Sequence, residues 1–133
     1  MLFSTNYQVT FSETDPGGIL FFAEFFKIAH ISYERFLQSM NLKQNYFQDN
    51  EIALPIVHSS ADFKSPVEFL DTLSCEITVG KISESTFELL HTFRKSNEIA
   101  ANIKTVHTVI SKKNFKKTKI PNELLLKLKE NQH

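Results

Sequence analysis

The chain has 133 residues, 41% hydrophobic and 23% charged, a globular mixture long enough for one domain and too rich in aliphatic and aromatic side chains for a disordered body. Formal net charge is +0, but residues 111–133 hold seven lysines against Glu123 and Glu130, a +5 tail set against −5 over residues 1–110. The lone Cys75 excludes an internal disulfide, no CxxC or Cys/His cluster suggests zinc, and neither a secretory leader nor a run of ~18 apolar residues is present, so a metal-free cytoplasmic chain without a membrane span is expected.

Tyr7, Val9 and Phe11 fall on one face at period two, which predicts a half-buried strand over residues 6–11. The run SETDPGG ends it. Pro16 removes an amide donor and pulls Asp15 away from helical geometry, while Gly17 and Gly18 permit backbone angles closed to other residues, so a sharp turn is expected. From Ile19 to Met40 no Pro or Gly intervenes, and Phe22, Phe25, Phe26, Ala29, Tyr33, Phe36, Leu37 and Met40 recur at helical spacing, which predicts one long helix. Phe21, Ile28 and Ile31 widen its apolar face beyond an ordinary amphipathic stripe, so a sheet wrapped around it is expected.

β-rich runs follow over residues 53–66, 71–80, 86–95 and 99–111, with polar reversals at residues 83–85 and 96–97 that fit antiparallel hairpins. Pro121 and the spacing of Leu124, Leu125 and Leu128 predict a short docked helix ending near Glu130. The order β-α-β-β-β-β gives an α+β fold, a five-stranded antiparallel sheet around one long central helix, in a single domain over residues 1–133 with a basic tail at 111–133.

The densest group of chemically useful residues is Asp15 on the turn, then His30 and Glu34, which share a helix face at i, i+4. A carboxylate beside the free amides of a helix start pairs a nucleophile or general base with an oxyanion site, which suits acyl transfer. The plainer alternative makes Asp15 an N-cap with Pro16 at the first helical position, and His30 a core histidine bonded to a backbone carbonyl or to Glu34. His58 could face a pocket, but Ser59 beside it points to the opposite strand face, which disfavours a serine triad. With Gly17, Gly18 and Gly80 as the only glycines, no GxxxxGK[ST] or GxGxxG phosphate cradle exists. The run SKKNFKKTK could meet an anionic ligand or only water; Phe115 alone interleaves with its lysines, so no nucleic-acid platform is expected.

The segment ETDPGGILFFAEFFKIAHISYERFL resembles the Asp-x-x-Gly motif and following helix of the 4-hydroxybenzoyl-CoA thioesterase family of hot-dog proteins. ALPIVHSSADFKSPVEFLDTL is similar to the family's central strand and the turn after it, and the likeness spans roughly residues 5–110. Within the family, TDPGG, AHISYE and ALPIVHSS look most like the 1,4-dihydroxy-2-naphthoyl-CoA thioesterases. The resemblance implies a hot-dog fold and hydrolysis of an acyl-CoA, with Asp15 attacking the carbonyl or activating water and the amide of Phe22 holding the oxyanion. It assigns Gly18, Ile19, Phe26, His30, Glu34 and His58 to substrate binding, His30 to a ring hydroxyl with Glu34 orienting it. No separate cofactor is implied, since CoA is part of the substrate. A homodimer or homotetramer with sites shared between protomers is implied, with Lys64, Arg94 or the 111–119 lysines meeting the CoA phosphates. Phe21 stands where many relatives have tyrosine, and Leu70 where glycine is frequent. Two further readings stay open: a housekeeping thioesterase for short or medium aliphatic acyl-CoA or acyl carrier protein, and a non-catalytic protein that binds an acyl ligand.

Overall fold

A computed structural model describes residues 2–132. Strand β1 (Phe3–Gln8) leads through a 3-10 turn at Phe11–Glu13 and an extended stretch to helix α1 (Phe22–Ser39). After a loop come β2 (Ile52–Ala53), β3 (Ile56–Phe63), β4 (Thr72–Ile82), β5 (Thr86–Lys95), β6 (Glu98–Thr108), β7 (Ile110–Ser111) and helix α2 (Asn122–Glu130). The five longer strands form one antiparallel sheet in the order β1-β4-β5-β6-β3, and β2 pairs with β7.

Alternation along β4 buries Leu73, Cys75, Ile77 and Val79, and along β5 Phe87, Leu89, His91 and Phe93. These meet Phe25, Ile28, Ala29, Tyr33, Phe36 and Leu37 of α1, and each fully buried large side chain contributes about 2–3 kcal/mol. The core falls into two apolar clusters. One surrounds Phe25 and Ile28; the other surrounds Tyr33 and Phe36 and is closed by Leu124 and Leu128 of α2. The 111–133 segment is thus partly core rather than an appended tail, and its Lys112 amide is tied to the Glu51 carbonyl at 2.8 Å.

Two boundaries differ from the sequence expectation. β1 turns Phe3, Thr5 and Tyr7 inward and stops at Gln8, because the Thr10 amide donates to Glu13 Oε1 at 2.8 Å and winds the chain into the 3-10 turn. Phe11 is consequently 73% exposed. The long helix begins at Phe22 rather than Ile19, because the residues before it are held extended: Leu20 N–H donates to the Val67 carbonyl at 2.6 Å and Phe21 N–H to that of Glu13 at 2.9 Å. Strands β2 and β7 are two residues each, too short to leave a periodic signal.

Candidate active site

The turn before α1 is built around Asp15. Its N–H donates to the Ile19 carbonyl at 2.9 Å, and Gly18 N–H returns to the Asp15 carbonyl at 2.9 Å. Gly18 has φ +82°, a conformation that a side chain would strain. Gly17 donates its amide to Asp15 Oδ1 at 2.8 Å, and a Cβ on Gly17 would stand 3.1 Å from that oxygen, so glycine allows the close approach.

Beneath the turn is a buried carboxylate. Glu13 is 2% exposed and accepts the Tyr7 hydroxyl at 2.5 Å, the Thr10 amide at 2.8 Å and Lys27 Nζ at 2.7 Å. Burial opposes its ionisation, but the Lys27 ammonium, the Thr10 amide and the Tyr7 hydroxyl more than reverse that and hold the carboxyl at about 2. Lys27 also reaches Glu24 at 2.7 Å. Glu13 thereby ties the Asp15 turn to β1 on one side and to the first turns of α1 on the other.

Asp15 and Ile19 line a cleft of about 480 Å³ together with Phe22, Phe25, Phe63 and Lys64. Phe63, at the end of β3, packs its ring 5.1 Å from that of Phe25 and 6.4 Å from that of Phe22. Lys64 and Ser65 both donate backbone amides to the Ala100 carbonyl, at 2.8 and 3.1 Å, which fixes the far lip. The head of α1 opens at Phe22, where the first helical amides have no carbonyl one turn back to bond. Such amides and the helix dipole favour negative charge, so a thioester carbonyl whose oxygen meets the Phe22 amide would be polarised and its oxyanion stabilised within apolar walls. Asp15 lines the same cleft, so a carboxylate and a helix head stand together there.

The sequence profile of the thioesterase-like superfamily matches residues 9–128. The chain belongs to the thioesterase-like superfamily. It is 33% identical over 133 residues to the 1,4-dihydroxy-2-naphthoyl-CoA hydrolase of Nostoc punctiforme, covering 98% of this chain and 89% of that one. A relative of the same name from Crocosphaera subtropica is 31% identical over 131 residues, with 96% of each chain covered. The crystal structure of a 1,4-dihydroxy-2-naphthoyl-CoA thioesterase from Synechocystis superposes with a TM-score of 0.90 at 28% identity, covering 100% of this chain and 99% of that one. The hot-dog fold and the thioester-hydrolase class expected from the sequence are borne out by these relatives.

Within the family frame the expected residues separate into two places. Asp15, Ile19 and Phe22 share the cleft, and Gly18 shapes its turn. Asp15 caps no helix: the N-cap is Phe21, so that alternative is overturned. Phe26 and His30 line a second cavity, of about 130 Å³. His30 Nδ1 is 2.8 Å from Glu34 Oε2 with side chains 46% and 47% exposed, so His30 is not a core histidine. Phe22 and His30 stand eight residues apart on α1, about 12 Å, so Asp15 and the His30–Glu34 pair do not converge within one chain.

His58 is not brought to the cleft. It is registered with Val106, whereas Ser59 is registered with the inward-facing Thr105, so His58 is on the outer sheet face. Arg94 is engaged by Glu76 at 3.1 Å, while Lys64 stands at the cleft. Sequence reasoning missed the Phe63 wall, the Glu13 support and three polar residues on the inner sheet face, His91, Thr105 and His107. A signal for the last group existed: His91 alternates in phase with Phe87, Leu89 and Phe93. Among the described residues no cluster of His, Cys, Asp and Glu is placed to hold a metal ion, and no helix is long and apolar enough to cross a membrane.

Proposed function

We propose that this protein hydrolyses the thioester of an aromatic acyl-CoA, of the 1,4-dihydroxy-2-naphthoyl type, to the free acid and CoA. The observation that carries the reading is the carboxylate of Asp15 in the cleft at the head of α1. The relatives from Nostoc punctiforme and Synechocystis bear this substrate in their names, which supports the choice of acyl group. With the carbonyl oxygen at the Phe22 amide, Asp15 takes a proton from a water whose oxygen attacks the carbonyl carbon, or attacks that carbon itself to form an anhydride that water then opens. In both routes the C–S bond breaks, the sulfur leaves as the CoA thiolate and takes up a proton. CoA is part of the substrate, and the chemistry asks for no further cofactor.

The working unit in this proposal is a homodimer joined along β3, which could pair again into a homotetramer. β3 ends the sheet, and Ile56 and Val57 on it are 40% and 58% exposed. Antiparallel joining would set the Phe63 end of one copy beside the Ile56 end of the other. The chain reverses over residues 110–117, where Ile110 bridges Lys117, and the lysines of this reversal in one copy, Lys112 and Lys113, would then approach Lys64 of the other, a setting for CoA phosphates. A free, buried Cys75 supports a cytoplasmic setting.

The test is thiol release from 1,4-dihydroxy-2-naphthoyl-CoA, 4-hydroxybenzoyl-CoA and aliphatic acyl-CoAs, comparing wild type with Asp15→Asn. We expect a naphthoyl preference and a loss of about a hundredfold or more in kcat/KM for the variant. Aliphatic preference would refute the assigned substrate. Unchanged turnover in a folded Asp15→Asn would refute the mechanism.

A further inference from the structure

The turn that carries Asp15 is a short hairpin set at the head of α1. Its two legs pair backbone to backbone: Thr14 bridges Leu20, the Asp15 amide donates to the Ile19 carbonyl at 2.9 Å, and the Phe21 amide donates to the Glu13 carbonyl at 2.9 Å. One leg holds Asp15, and the other runs directly into Phe22, the first residue of the helix. Pairing of this kind fixes the spacing of the legs. It does not fix the tilt of the hairpin against the helix axis, and that tilt decides where the Asp15 carboxylate stands relative to the first helical amides.

Lys27, in the second turn of α1, supplies the missing constraint. Its Nζ reaches back to Glu13 Oε2 and to Glu24 Oε2, each at 2.7 Å. Among the described residues the Lys27–Glu13 contact is the one ion pair or side-chain hydrogen bond that joins residues 13–21 to α1. The Glu13 end is itself immobile, since its buried carboxylate also accepts the Tyr7 hydroxyl of β1 and the Thr10 amide. Lys27 is the one cation on that carboxylate, and a buried carboxylate that loses its cation has to take a proton or shift toward water. The hairpin is therefore bolted to the body of the helix at a single charged point.

We propose that Lys27 is a positioning residue for thioester hydrolysis: acting through Glu13, it sets the Asp15 carboxylate against the Phe22 amide. The inference rests on the hydrolase reading above. In that reading the two groups work on one carbonyl, the carboxylate or its water at carbon and the amide at oxygen, so their separation has to be held while the reaction runs. A displacement of about 1 Å in such a pair costs on the order of a hundredfold in rate. Lys27 does not line the cleft, whose walls are Phe22, Phe25, Phe63 and Lys64. Its loss should therefore slow the chemical step and leave binding of the thioester almost untouched.

The test combines steady-state kinetics on the thioester of the panel above that is turned over fastest with amide hydrogen exchange at Asp15 and Phe21, in wild type, Lys27→Met and Lys27→Arg. Lys27→Met is expected to lower kcat about ten- to a hundredfold with KM within about twofold, and to speed exchange at both amides at least about tenfold. Lys27→Arg, which keeps the cation, should restore most of both. Glu13→Gln should lose as much kcat as Lys27→Met, and the double variant no more than either, because the two side chains act through one contact. If Lys27→Met does not fold, Lys27→Gln replaces it with the same expectation. An unchanged kcat in a folded variant, a KM that rises in step with the fall in kcat, additive losses in the double variant, or a loss that arginine leaves unrepaired would each overturn the proposal. If wild type turns over no thioester, the hydrolase reading fails by itself: exchange that still answers to Lys27 would leave the bolt standing as the anchor of the turn, and exchange that does not would sink both.

Discussion

Replacing Glu13 by glutamine tests the support under the turn that carries Asp15. Glutamine keeps the volume and one oxygen for the Thr10 amide, but it puts an NH2 group where Oε2 accepts from Tyr7 and removes the charge that Lys27 meets at 2.7 Å. The native carboxyl is held at about 2, against an ordinary value of 4.5. A depressed carboxylate stabilises the fold fully above its unfolded value, and that stabilisation is lost as pH falls through the folded value. At pH 7 the difference corresponds to about 2–3 kcal/mol once the half-exposed Lys27 partner is discounted, and at pH 3 to about 1 kcal/mol. The assay is urea unfolding of wild type and Glu13→Gln at both pH values and one fixed protein concentration, since self-association shifts apparent stability. A gap below 1 kcal/mol at pH 7, or an equal gap at the two pH values, would refute the assignment of Glu13 as a buried, charged tie.

Gly18→Ala forces a side chain into φ +82° and is expected to cost about 1 kcal/mol, seen as a drop in Tm, together with a lower kcat/KM because the turn carries Asp15. The buried rings of His91 and His107 resist protonation, held at about 4 and about 3 against 6.5 for a free imidazole. The unfolded chain therefore takes up protons first, and the urea midpoint should fall as pH drops below 6.5 while staying level between 7 and 8; a midpoint level down to pH 5 would contradict this. Burial also pushes the Cys75 thiol up to about 11, so a thiol reagent should label it only on unfolding, and rapid labelling of the native protein would count against the packing described.

The long helix and the strands were legible because their apolar residues repeat at 3.6 and 2, and the reversals at residues 83–85 and 96–97 marked the β4–β5 and β5–β6 hairpins; the pairings of β1 with β4 and of β3 with β6 join strands distant in sequence and had no local signal. The start of α1 was not legible: Ile19, Leu20 and Phe21 continue the apolar run but spend their backbone groups on Val67, Glu13 and Asp15, partners fixed by tertiary contact. Asp15 could be found from its turn, and the carboxylate beside a helix start suggested the chemistry. His58 was misleading because its neighbours in sequence give no sign of which sheet face is occupied; the register with Val106 decides that. His91 and His107 were overlooked because isolated histidines carry no motif, although their parity with buried phenylalanine and isoleucine marked them as inward.

Strand β3 has a further consequence for the fate of the chain in concentrated solution. Eight residues of sheet edge end without a neighbouring strand, and Ile56, Val57 and Phe63 are exposed along them. Such an edge is a template for any extended segment, including misfolded copies of the same protein. Asp62 and Lys64 flank Phe63 with opposite charges and would act as gatekeepers at one end. The Ile56–Val57 end has no charged neighbour nearer than Glu51. Orderly edge-to-edge closure would therefore protect against aggregation as well as complete a binding site, and a chain that loses it would be expected to precipitate before it loses its fold.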